Sequence, residues 1–471
     1  MQQENLKFKV FSIIWAISTL FHQLTFIDWV RHSILGWIVA ISCILYLFFP
    51  QRYYFFVLAL IGNVVVVYTR LPFVANHMVF EFLLNVTLSA AVIYYWVRTK
   101  SKEPLIDDGP VAIWQRYAPV ARVSLVIMYF YVVLHKLNYD FFDPAVSCGG
   151  ELFEGMVTNF YLFKIGFIRE LYEQHSLFLR GFSVYFTIFS EAIIPLLLLT
   201  RRFRNAGILY GIMFHIILPF HGHIGIYSFS GLMYTLYVFF WDDATFKRFY
   251  EFYEKHALKI RIYFLGTFIC VVAAHLSGKW FLFNGSSTLF WFVYSLFYAF
   301  IFFLATKRTL FSIPESNQLY KRSVLWFAVV VIFLNGLTPY LGLKTEMSYG
   351  MFSNLRTEDD HTNHFFIPTS TQLFDYQREV VTVLETDSEA IKNIDRYEHG
   401  DVQVVWFEFV RLLNDEEPDF YVKFLFDGKE HYLKKENGHF SDTELDLRQN
   451  FFIKKAFRFR PVYRSQSFCQ H

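Results

Sequence analysis

The chain has 471 residues, of which 55% are hydrophobic and 21% aromatic, while only 18% carry charge. Lysine and arginine number 43 against 41 aspartates and glutamates, which gives a formal net charge of +2. This composition excludes an ordinary soluble globular protein, and the balanced charge offers no basic or acidic tract for nucleic acid. We therefore expect an integral membrane protein whose principal partner is the lipid bilayer, with no nucleic-acid partner.

Apolar segments recur from the N-terminus to Leu341, and most are long enough to cross a hydrocarbon core of roughly 30 Å. They predict about eleven transmembrane helices. The first segment is unusually polar, since it carries His22, Gln23 and Asp28. A cleavable signal peptide is the alternative for it, although no small-residue cleavage site follows. The predicted helices cover residues 9–30, 33–49, 53–69, 76–97, 117–137, 182–200, 205–220, 225–241, 259–276, 288–306 and 323–341.

Basic residues concentrate in alternate loops, and such residues remain on the cytoplasmic side of a membrane. The pattern predicts a cytoplasmic N-terminus, and the odd number of crossings then places everything after Leu341 outside the cytoplasm. Residues 138–181 fall on the same outer side, and their aromatic side chains at helical spacing predict interfacial helices that roof a cavity. The basic residues assigned to the cytoplasmic loops are Arg52, Arg98, Lys100, Lys102, Arg116, Arg201, Arg202, Arg204, Lys247, Arg248, Lys255, Lys307, Arg308, Lys321 and Arg322.

The four cysteines divide between two environments on this topology. Cys43 and Cys270 fall in apolar segments, where cysteine usually serves as a small hydrophobic residue. Cys148 and Cys469 both fall on the predicted oxidising side. A disulfide between these two and a pair of free thiols are equal alternatives, because the sequence does not give the distance that a bridge requires.

The chain after Leu341 changes character and predicts a β-rich extracytoplasmic domain over residues 342–471. Asp427-Gly428 predicts a hairpin turn between two strands. Residues 402–413 (VQVVWFEFVRLL) suit an amphipathic helix or a strand, and we favour the helix. The predicted strands are residues 379–384, 420–426 and 429–433.

Together these elements predict an all-α polytopic membrane bundle with a small C-terminal α+β extracytoplasmic domain. The membrane domain covers residues 1–341, including the outer segment 138–181, and the second domain covers residues 342–471. Localisation in a bacterial inner membrane is expected, because the sequence carries no organelle signal.

Lys136 is the most informative ionisable residue, because it ends a strongly apolar predicted helix (YVVLHKLN). Ionisable groups within a membrane are costly and are usually functional or paired. Burial disfavours the ammonium form and makes a neutral amine available as a base. The alternative is a lysine that extends along the helix to the membrane interface. We interpret Lys136 as a candidate catalytic base.

Two further polar positions accompany this lysine. Asn76-His77 opens the fourth predicted helix on the same side of the membrane as Lys136. His77 could supply a proton or orient a substrate oxygen, and a packing role is the alternative. Glu191 lies within the sixth predicted helix, where a carboxyl group also calls for a partner or a function.

Three histidines near the seventh predicted helix raise the question of a metal site. His215 lies inside that helix, and His221 and His223 (PFHGHIG) follow it. Their spacing matches no recognised ligand set, so we expect no metal. Phosphate-binding glycine loops, nucleophile elbows and HExxH patterns are also lacking in the sequence. The abundance of phenylalanine and tyrosine instead suits a pocket for a flat apolar ligand such as a quinone.

These residues resemble the HTTM family, the membrane domain shared by vitamin K-dependent gamma-carboxylase and many bacterial proteins. The resemblance covers nearly the whole chain and depends on the order of its motifs. In the membrane part they are Asn76-His77, residues 134–141 (LHKLNYDF), 191–196 (EAIIPL), 202–204 (RFR), Phe214-His215 and 226–230 (IYSFS). Beyond it they are residues 351–356 (MFSNLR), Asn363-His364, 457–461 (FRFRP) and 469–471 (CQH).

In that carboxylase a lysine deprotonates a reduced quinone, to which oxygen adds. The strong base that results removes a γ-proton from a peptide glutamate, and carbon dioxide captures the carbanion. The resemblance implies that Lys136 is the base and that His77 assists it. It also implies that Asn76, His135 and His215 help to bind the cofactor, which would be reduced vitamin K or a related naphthoquinol. A secreted or membrane peptide would be the substrate.

The chain departs from the carboxylase at two points. The carboxylase has a second lysine where this chain has His135, and its lumenal region is much larger than residues 342–471. These departures put glutamate carboxylation in doubt more than quinol-dependent oxygen chemistry.

Three functional hypotheses follow. The first is a membrane enzyme similar to the carboxylase, which requires Lys136 to be unpaired and to face a cavity. The second is a non-catalytic membrane protein that binds a lipid or assists maturation of an exported peptide, for which Lys136 would be paired with an acid or exposed to the interface. A transporter is the third, although the paired broken helices typical of repeated halves are not evident.

Overall fold

The computed structural model describes most of the chain, with short gaps between the described segments. These segments are residues 2–100, 105, 109–159, 164–221, 225–311, 313, 323–394, 402–415, 419–441, 444–464 and 466–469. All structural statements below concern these residues.

The first three quarters of the described chain are helical. The α-helices are α1 Gln2–Thr25, α2 Ile27–His32, α3 Ile34–Phe48, α4 Tyr53–Arg70, α5 Asn76–Thr99, α6 Gly109–Lys136, α7 Tyr139–Phe142, α8 Cys148–Asn159, α9 Gly166–Leu199, α10 Arg204–Ile217, α11 Gly225–Tyr237, α12 Asp243–Leu276, α13 Trp280–Thr306 and α14 Trp326–Leu337. Short 3₁₀ turns follow α9, α10 and α11, at Arg201–Phe203, Leu218–His221 and Val238–Phe240.

Seven stretches in the described part of the chain are helical, long and apolar enough to cross a membrane. The predicted helical membrane bundle is confirmed at that level, because each predicted apolar segment contains a helix. The count of about eleven crossings and the orientation of the termini stay predictions. The seven are Tyr53–Arg70, Asn76–Thr99, Gly109–Lys136, Gly166–Leu199, Arg201–Phe220, Asp243–Leu276 and Phe281–Thr306. Shorter apolar helices are Ile34–Phe48, Gly225–Phe240 and Trp326–Leu337.

The outer segment 138–181 differs from its prediction at its C-terminal end. It contains α7 and α8, but residues 166–181 belong to α9, which continues to Leu199. The helix passes through a single non-helical backbone position at His175 (φ −124°). The part of α9 before this kink and the part that contains the predicted membrane span are thus joined directly, and the location of residues 138–181 at the membrane surface stays a prediction.

The C-terminal part contains a six-stranded sheet in which all neighbouring strands are antiparallel. The strand order is β5-β4-β3-β1-β2-β6. Three short helices accompany the sheet, α15 Glu389–Lys392, α16 Trp406–Asp415 and α17 Phe451–Ala456. The strands are β1 Val380–Thr386, β2 Val402–Val405, β3 Phe420–Phe426, β4 Lys429–Glu436, β5 His439–Phe440 and β6 Val462–Tyr463.

The β3–β4 hairpin and the 402–413 segment test two details of the prediction. Asp427 and Gly428 both adopt positive φ (49° and 69°) and connect the pair Phe426–Lys429, as the Asp-Gly turn predicts. The helix favoured over 402–413 is wrong for its first four residues, which form β2. Valine-rich sequence suits a strand, and Val405 pairs with Val380 of β1.

The C-terminal residues are attached to the outer segment of the membrane part. A disulfide joins Cys148 to Cys469 with a Cα–Cα distance of 4.8 Å, so the paired alternative is the one present. Beside it, the Asn354 side chain donates to the carbonyls of Val146 (2.9 Å) and Ser467 (2.7 Å) and accepts from the Cys148 amide (2.8 Å). One buried amide therefore connects three distant parts of the chain.

Close packing of α14 fixes α6, the helix that carries Lys136. A Cβ added at Gly336 would lie 2.2 Å from the ring of Tyr131 on α6. We expect Gly336→Ala to lower the free energy of unfolding by about 1–3 kcal/mol through overpacking. Thermal unfolding in detergent measures the effect. Gly285→Ala on α13 is the matched control, because nothing lies within 4 Å of its added Cβ; equal melting of the two variants would contradict this packing.

His364 links the segment after α14 to the end of α6 and predicts a pH dependence. Its Nε2 donates to the Leu134 carbonyl (3.0 Å), and its Nδ1 accepts from the amides of Phe366 and Ile367. Burial lowers the pKa of His364 below its usual value, although the bond to Leu134 opposes the shift. As pH falls, the His364 imidazole is therefore protonated in the unfolded chain first. The folded protein loses stability as pH falls from about 6.5, the usual pKa of histidine, through the lower pKa of His364 in the folded protein.

The measurement is the melting temperature between pH 7.5 and 5 for the wild type and His364→Gln. We expect the variant to show a flatter profile, because it lacks the neutral imidazole. His439→Gln, at an exposed strand position, should retain the wild-type slope. A wild-type slope in His364→Gln would assign the pH dependence to another group.

Candidate functional site

A cavity of about 650 Å³ lies between the membrane helices and the C-terminal sheet domain. Residues of α5, α6, α9, α10 and α11 form one side, and residues from α15, β2, α16 and the 458–463 segment form the other. Its wall is mainly apolar and rich in phenylalanine: Phe141, Phe153, Phe182, Phe186, Phe214, Phe229 and Phe352. The charged groups on the wall are Lys136, Glu191, Glu346, Glu408, Arg458 and Arg460.

Lys136 and Glu191 form a buried pair on this wall. Lys136 is the last residue of α6, and its Nζ lies 3.0 Å from Oε1 and 2.9 Å from Oε2 of Glu191 on α9. The exposed fractions of the two side chains are 4% and 11%. Lys136 therefore faces the cavity instead of extending to the interface. The requirement that it be unpaired is contradicted, because Glu191 is its partner.

Two forms of the pair contain the same number of protons. An ammonium with a carboxylate and an amine with a carboxylic acid carry the same net charge of zero, so burial of the pair costs far less than burial of either ion alone. In both forms one group remains able to accept a further proton. Acceptance makes the pair positive, which the apolar wall disfavours unless an anion forms beside it.

His77 and Asn76 occupy the first turn of α5, at the cavity wall. The ring of His77 shares a hydrogen bond between its Nε2 and the Ser228 hydroxyl on α11, and its centroid lies 5.6 Å from that of Phe229. The Asn76 amide donates to Glu346 (3.3 Å), and its Oδ1 is buried without a partner among the described residues. The structure thus brings His77 and Asn76 to the same cavity as Lys136.

His135 and His215 do not line the cavity, so the structure gives no support to their predicted place in a cofactor site. His135 packs on the opposite side, where its ring nitrogens contact the Tyr340 hydroxyl (2.9 Å) and the Ser348 carbonyl (3.0 Å). Consecutive helical residues point about 100° apart, and here the Lys136 side chain is on the cavity wall while that of His135 is not. His215 lies behind Phe229, 5.1 Å between ring centroids, and contacts the Ser230 hydroxyl at 3.2 Å.

The remaining histidines of the sequence analysis give no metal site that can be described. His223 and the His221 side chain lie outside the described residues. Within the described part of the chain, no group of three or more histidine, cysteine, aspartate or glutamate side chains is arranged to hold a metal ion.

A second buried polar cluster lies deeper in the bundle and away from the cavity wall. Glu81 on α5 contacts His22 Nδ1 (3.0 Å) and accepts from Asn63 (3.0 Å) and Asn85 (3.3 Å). His22 was recognised in the sequence as a polar residue within an apolar segment. Glu81, which lies one helical turn beyond His77, was not recognised. The apolar spacing of α5 gave no sign that an acid there would find partners on two other helices.

The cavity reaches the outer surface of the bundle between α9 and α10. Phe182, Phe186 and Ile217 line it, yet their exposed fractions are 58%, 41% and 48%. They belong to two of the helices that are apolar enough to cross a membrane. We call these three residues the lateral rim. A route for an apolar ligand from the hydrocarbon to the cavity would pass these side chains.

The cavity also has a water-facing side that sequence reasoning missed. Ala390 and Asn393 line it and are exposed, and the half-buried Arg458 and Arg460 line the same cavity. The alternation of residues 457–461 (FRFRP) is the signal that could have suggested two basic side chains on one face of an extended segment.

No protein-family model, curated protein or solved structure matches this chain. The resemblance to the HTTM family therefore stays a hypothesis. Function has to be inferred from the chemistry of the cavity.

The Lys136–Glu191 pair predicts a strong coupling between its two members. Lys136→Met should lower the free energy of unfolding by about 3–5 kcal/mol, because it leaves Glu191 buried without a counter-charge. The double variant Lys136→Met with Glu191→Leu should recover most of that loss, since an apolar pair needs no charge compensation. Chemical unfolding in detergent of the wild type, both single variants and the double variant measures the coupling. Additive losses would show that the two side chains do not interact.

Proposed function

We propose that the protein is a membrane enzyme similar to vitamin K-dependent gamma-carboxylase, which removes a proton from a reduced naphthoquinone bound in the cavity. The observation that carries the proposal is the position of Lys136, which is buried on the wall of an apolar cavity. Intramembrane ionisable groups of this kind often mark proton-transfer sites.

The cavity suits such a ligand in size and chemistry. Its volume of about 650 Å³ lies within the range of about 300–1,000 Å³ common for small-molecule sites. Phenylalanine rings on several sides can stack against a flat ring system. The unpartnered Oδ1 of Asn76 is an acceptor for a ligand hydroxyl, and the lateral rim admits an apolar tail from the bilayer.

The protein's own groups can move one proton in a balanced step. The pair starts with one proton and accepts a second from a ligand hydroxyl, so that a ligand anion and a positively charged pair form together. In the ion-pair form the accepting atom is a carboxylate oxygen of Glu191, and the Lys136 ammonium stabilises the new anion. Glu191 thus joins Lys136 as a residue of the proposed reaction. His77 is placed to orient the ligand through its contact with the Ser228 hydroxyl.

By the resemblance, the deprotonated quinol would react with oxygen to give a base strong enough to remove a proton from a peptide glutamate, and carbon dioxide would add to the carbon that lost it. That further step, a peptide substrate and a bacterial inner-membrane location belong to the same proposal.

A second candidate is a non-catalytic protein that binds a lipid or assists maturation of an exported peptide. The closed Lys136–Glu191 contact favours it, because a structural lysine is expected to be paired. In that case the pair serves to join α6 to α9, and the cavity holds a lipid that is not transformed.

The deciding experiment is formation of the epoxide from reduced vitamin K by the purified protein in detergent. We expect Lys136→Ala and Glu191→Gln each to lower the rate by a factor of about 10²–10⁴, the usual contribution of general acid–base groups. Lys7→Ala is the matched control, since Lys7 forms another ion pair (2.6 Å to Asp243, Lys7 side chain 8% exposed) that does not line the cavity.

Loss of epoxide formation in the cavity variants but not in Lys7→Ala, at equal folded fractions, would support the enzyme. A folded wild type that forms no epoxide from several quinols would favour the binding or maturation role. Full activity in both cavity variants would leave the pair with a structural role alone.

A further inference from the structure

Two groups of large apolar side chains are exposed in the chain that follows the last apolar helix. The first apolar group consists of Phe366 and Leu373, each of which is 74% exposed. The second apolar group consists of Phe451 and Phe452 at the start of α17, which are 59% and 73% exposed. Exposed apolar side chains that lie together mark contact surfaces for proteins or membranes.

The first apolar group is attached to the ends of α6 and α14. The Phe365 amide donates to the carbonyl of Leu137 (3.0 Å), the residue that follows α6. The amides of Leu373 and Phe374 both donate to the carbonyl of Leu341 (3.1 Å each), which lies just beyond α14. Backbone hydrogen bonds therefore fix this group beside the ends of two apolar helices.

The second apolar group is attached to the end of α4. The Lys455 Nζ donates to the Thr69 carbonyl (3.1 Å) and lies 5.8 Å from the centroid of the Tyr68 ring. At the other end of α17, the side chain of Asn450 accepts from the Phe452 amide (2.9 Å). The short helix is thus held with its two phenylalanines beside α4.

Each apolar group continues an exposed apolar stripe on the helix that holds it. On α4 the stripe ends at Tyr68, the residue that Lys455 contacts. On α14 it ends near Leu341. Exposed apolar side chains at a spacing of three or four residues share one face of a helix, and on a membrane helix that face contacts lipid. The stripes are Leu58, Ile61, Val65 and Tyr68 on α4, and Phe327, Val330 and Leu334 on α14.

The three helix ends lie at the same end of the bundle. His77, shortly after α4, and Lys136, the last residue of α6, line one cavity, and the Tyr340 hydroxyl beyond α14 contacts His135 of α6 (2.9 Å). The hydrocarbon core of a membrane has to end close to such helix ends. Tryptophan and tyrosine with lysine and arginine typify that level, and the Arg70 guanidinium lies 5.4 Å from the Trp29 ring there.

We propose that the C-terminal domain rests in the lipid–water interface of the bilayer through both apolar groups, which insert among the lipid chains next to the headgroups. Lipid is the occupant because each group extends a lipid-facing stripe beyond the end of its helix. No particular headgroup is selected, since Lys454 is paired with Asp415 (2.6 Å) and Lys455 with a backbone carbonyl. The proposal does not depend on the proton chemistry of the cavity.

The test places the fluorophore bimane at Phe366→Cys or Phe452→Cys in the full-length protein, reconstituted in phosphatidylcholine nanodiscs. Cys270→Ser removes the exposed free thiol, and Cys43 is buried. A second set of nanodiscs contains phosphatidylcholine with a nitroxide high on the acyl chain. We expect this lipid to lower the emission at both positions by about twofold or more, as for side chains inserted at the interface, and aqueous iodide to quench them weakly.

Tyr432→Cys on β4 is the matched control, because Tyr432 is 59% exposed but lies between the charged Glu430 and Lys434 on its face of the strand. Iodide should quench its label and the nitroxide lipid should not. The same quenching pattern at all three positions would overturn the proposal. Protection from iodide without nitroxide quenching would assign the apolar groups to a second copy or another protein, and would also overturn it. Equal melting temperatures of labelled and unlabelled protein confirm that the fold is retained.

Discussion

The arrangement of the cavity depends on the contact between Lys136 and Glu191. Each side chain alone would carry a charge into an apolar wall at a cost of several kcal/mol, and each removes most of that cost for the other. The contact also sets the distance between the C-terminal end of α6 and the part of α9 around Glu191. Phe182 and Phe186 on α9 are positioned with it, so the shape of the apolar wall and the placement of the ionisable groups are decided together.

The C-terminal domain supplies the part of the cavity wall that the helical bundle does not. The disulfide and Asn354 hold its last described residues against the outer segment, and Glu408 with Arg411 holds the 457–459 backbone above the membrane helices. More than a third of the residues that line the cavity follow the last apolar helix. The site belongs to neither part alone, which explains why a polar domain of modest size packs so closely on the bundle.

Some of this structure was readable from the sequence for simple reasons. Apolar runs predict membrane helices because the bilayer allows little else, and Asp427-Gly428 predicts its hairpin because positive φ is needed at both positions. Lys136 and His77 were identified because polar groups are rare in such segments. Their partners were not predictable: Glu191 is distant from Lys136 in the chain, and only the packing of α9 on α6 brings them together. His135 does not line the cavity although it precedes Lys136 in the sequence, because its ring contacts Tyr340 and Ser348. β2 was missed because its partner strand lies outside its own sequence window.

The lateral rim has a consequence for how ligand binding to this protein must be expressed. A ligand that reaches the cavity through Phe182, Phe186 and Ile217 is drawn from a solution in hydrocarbon, where its concentration is its mole fraction among lipids. Total aqueous concentration then has little meaning, and apparent affinity changes with the amount of lipid or detergent even when the protein is unchanged. A weak intrinsic site suffices in such a setting, because partitioning into the bilayer has already concentrated an apolar ligand beside its entrance.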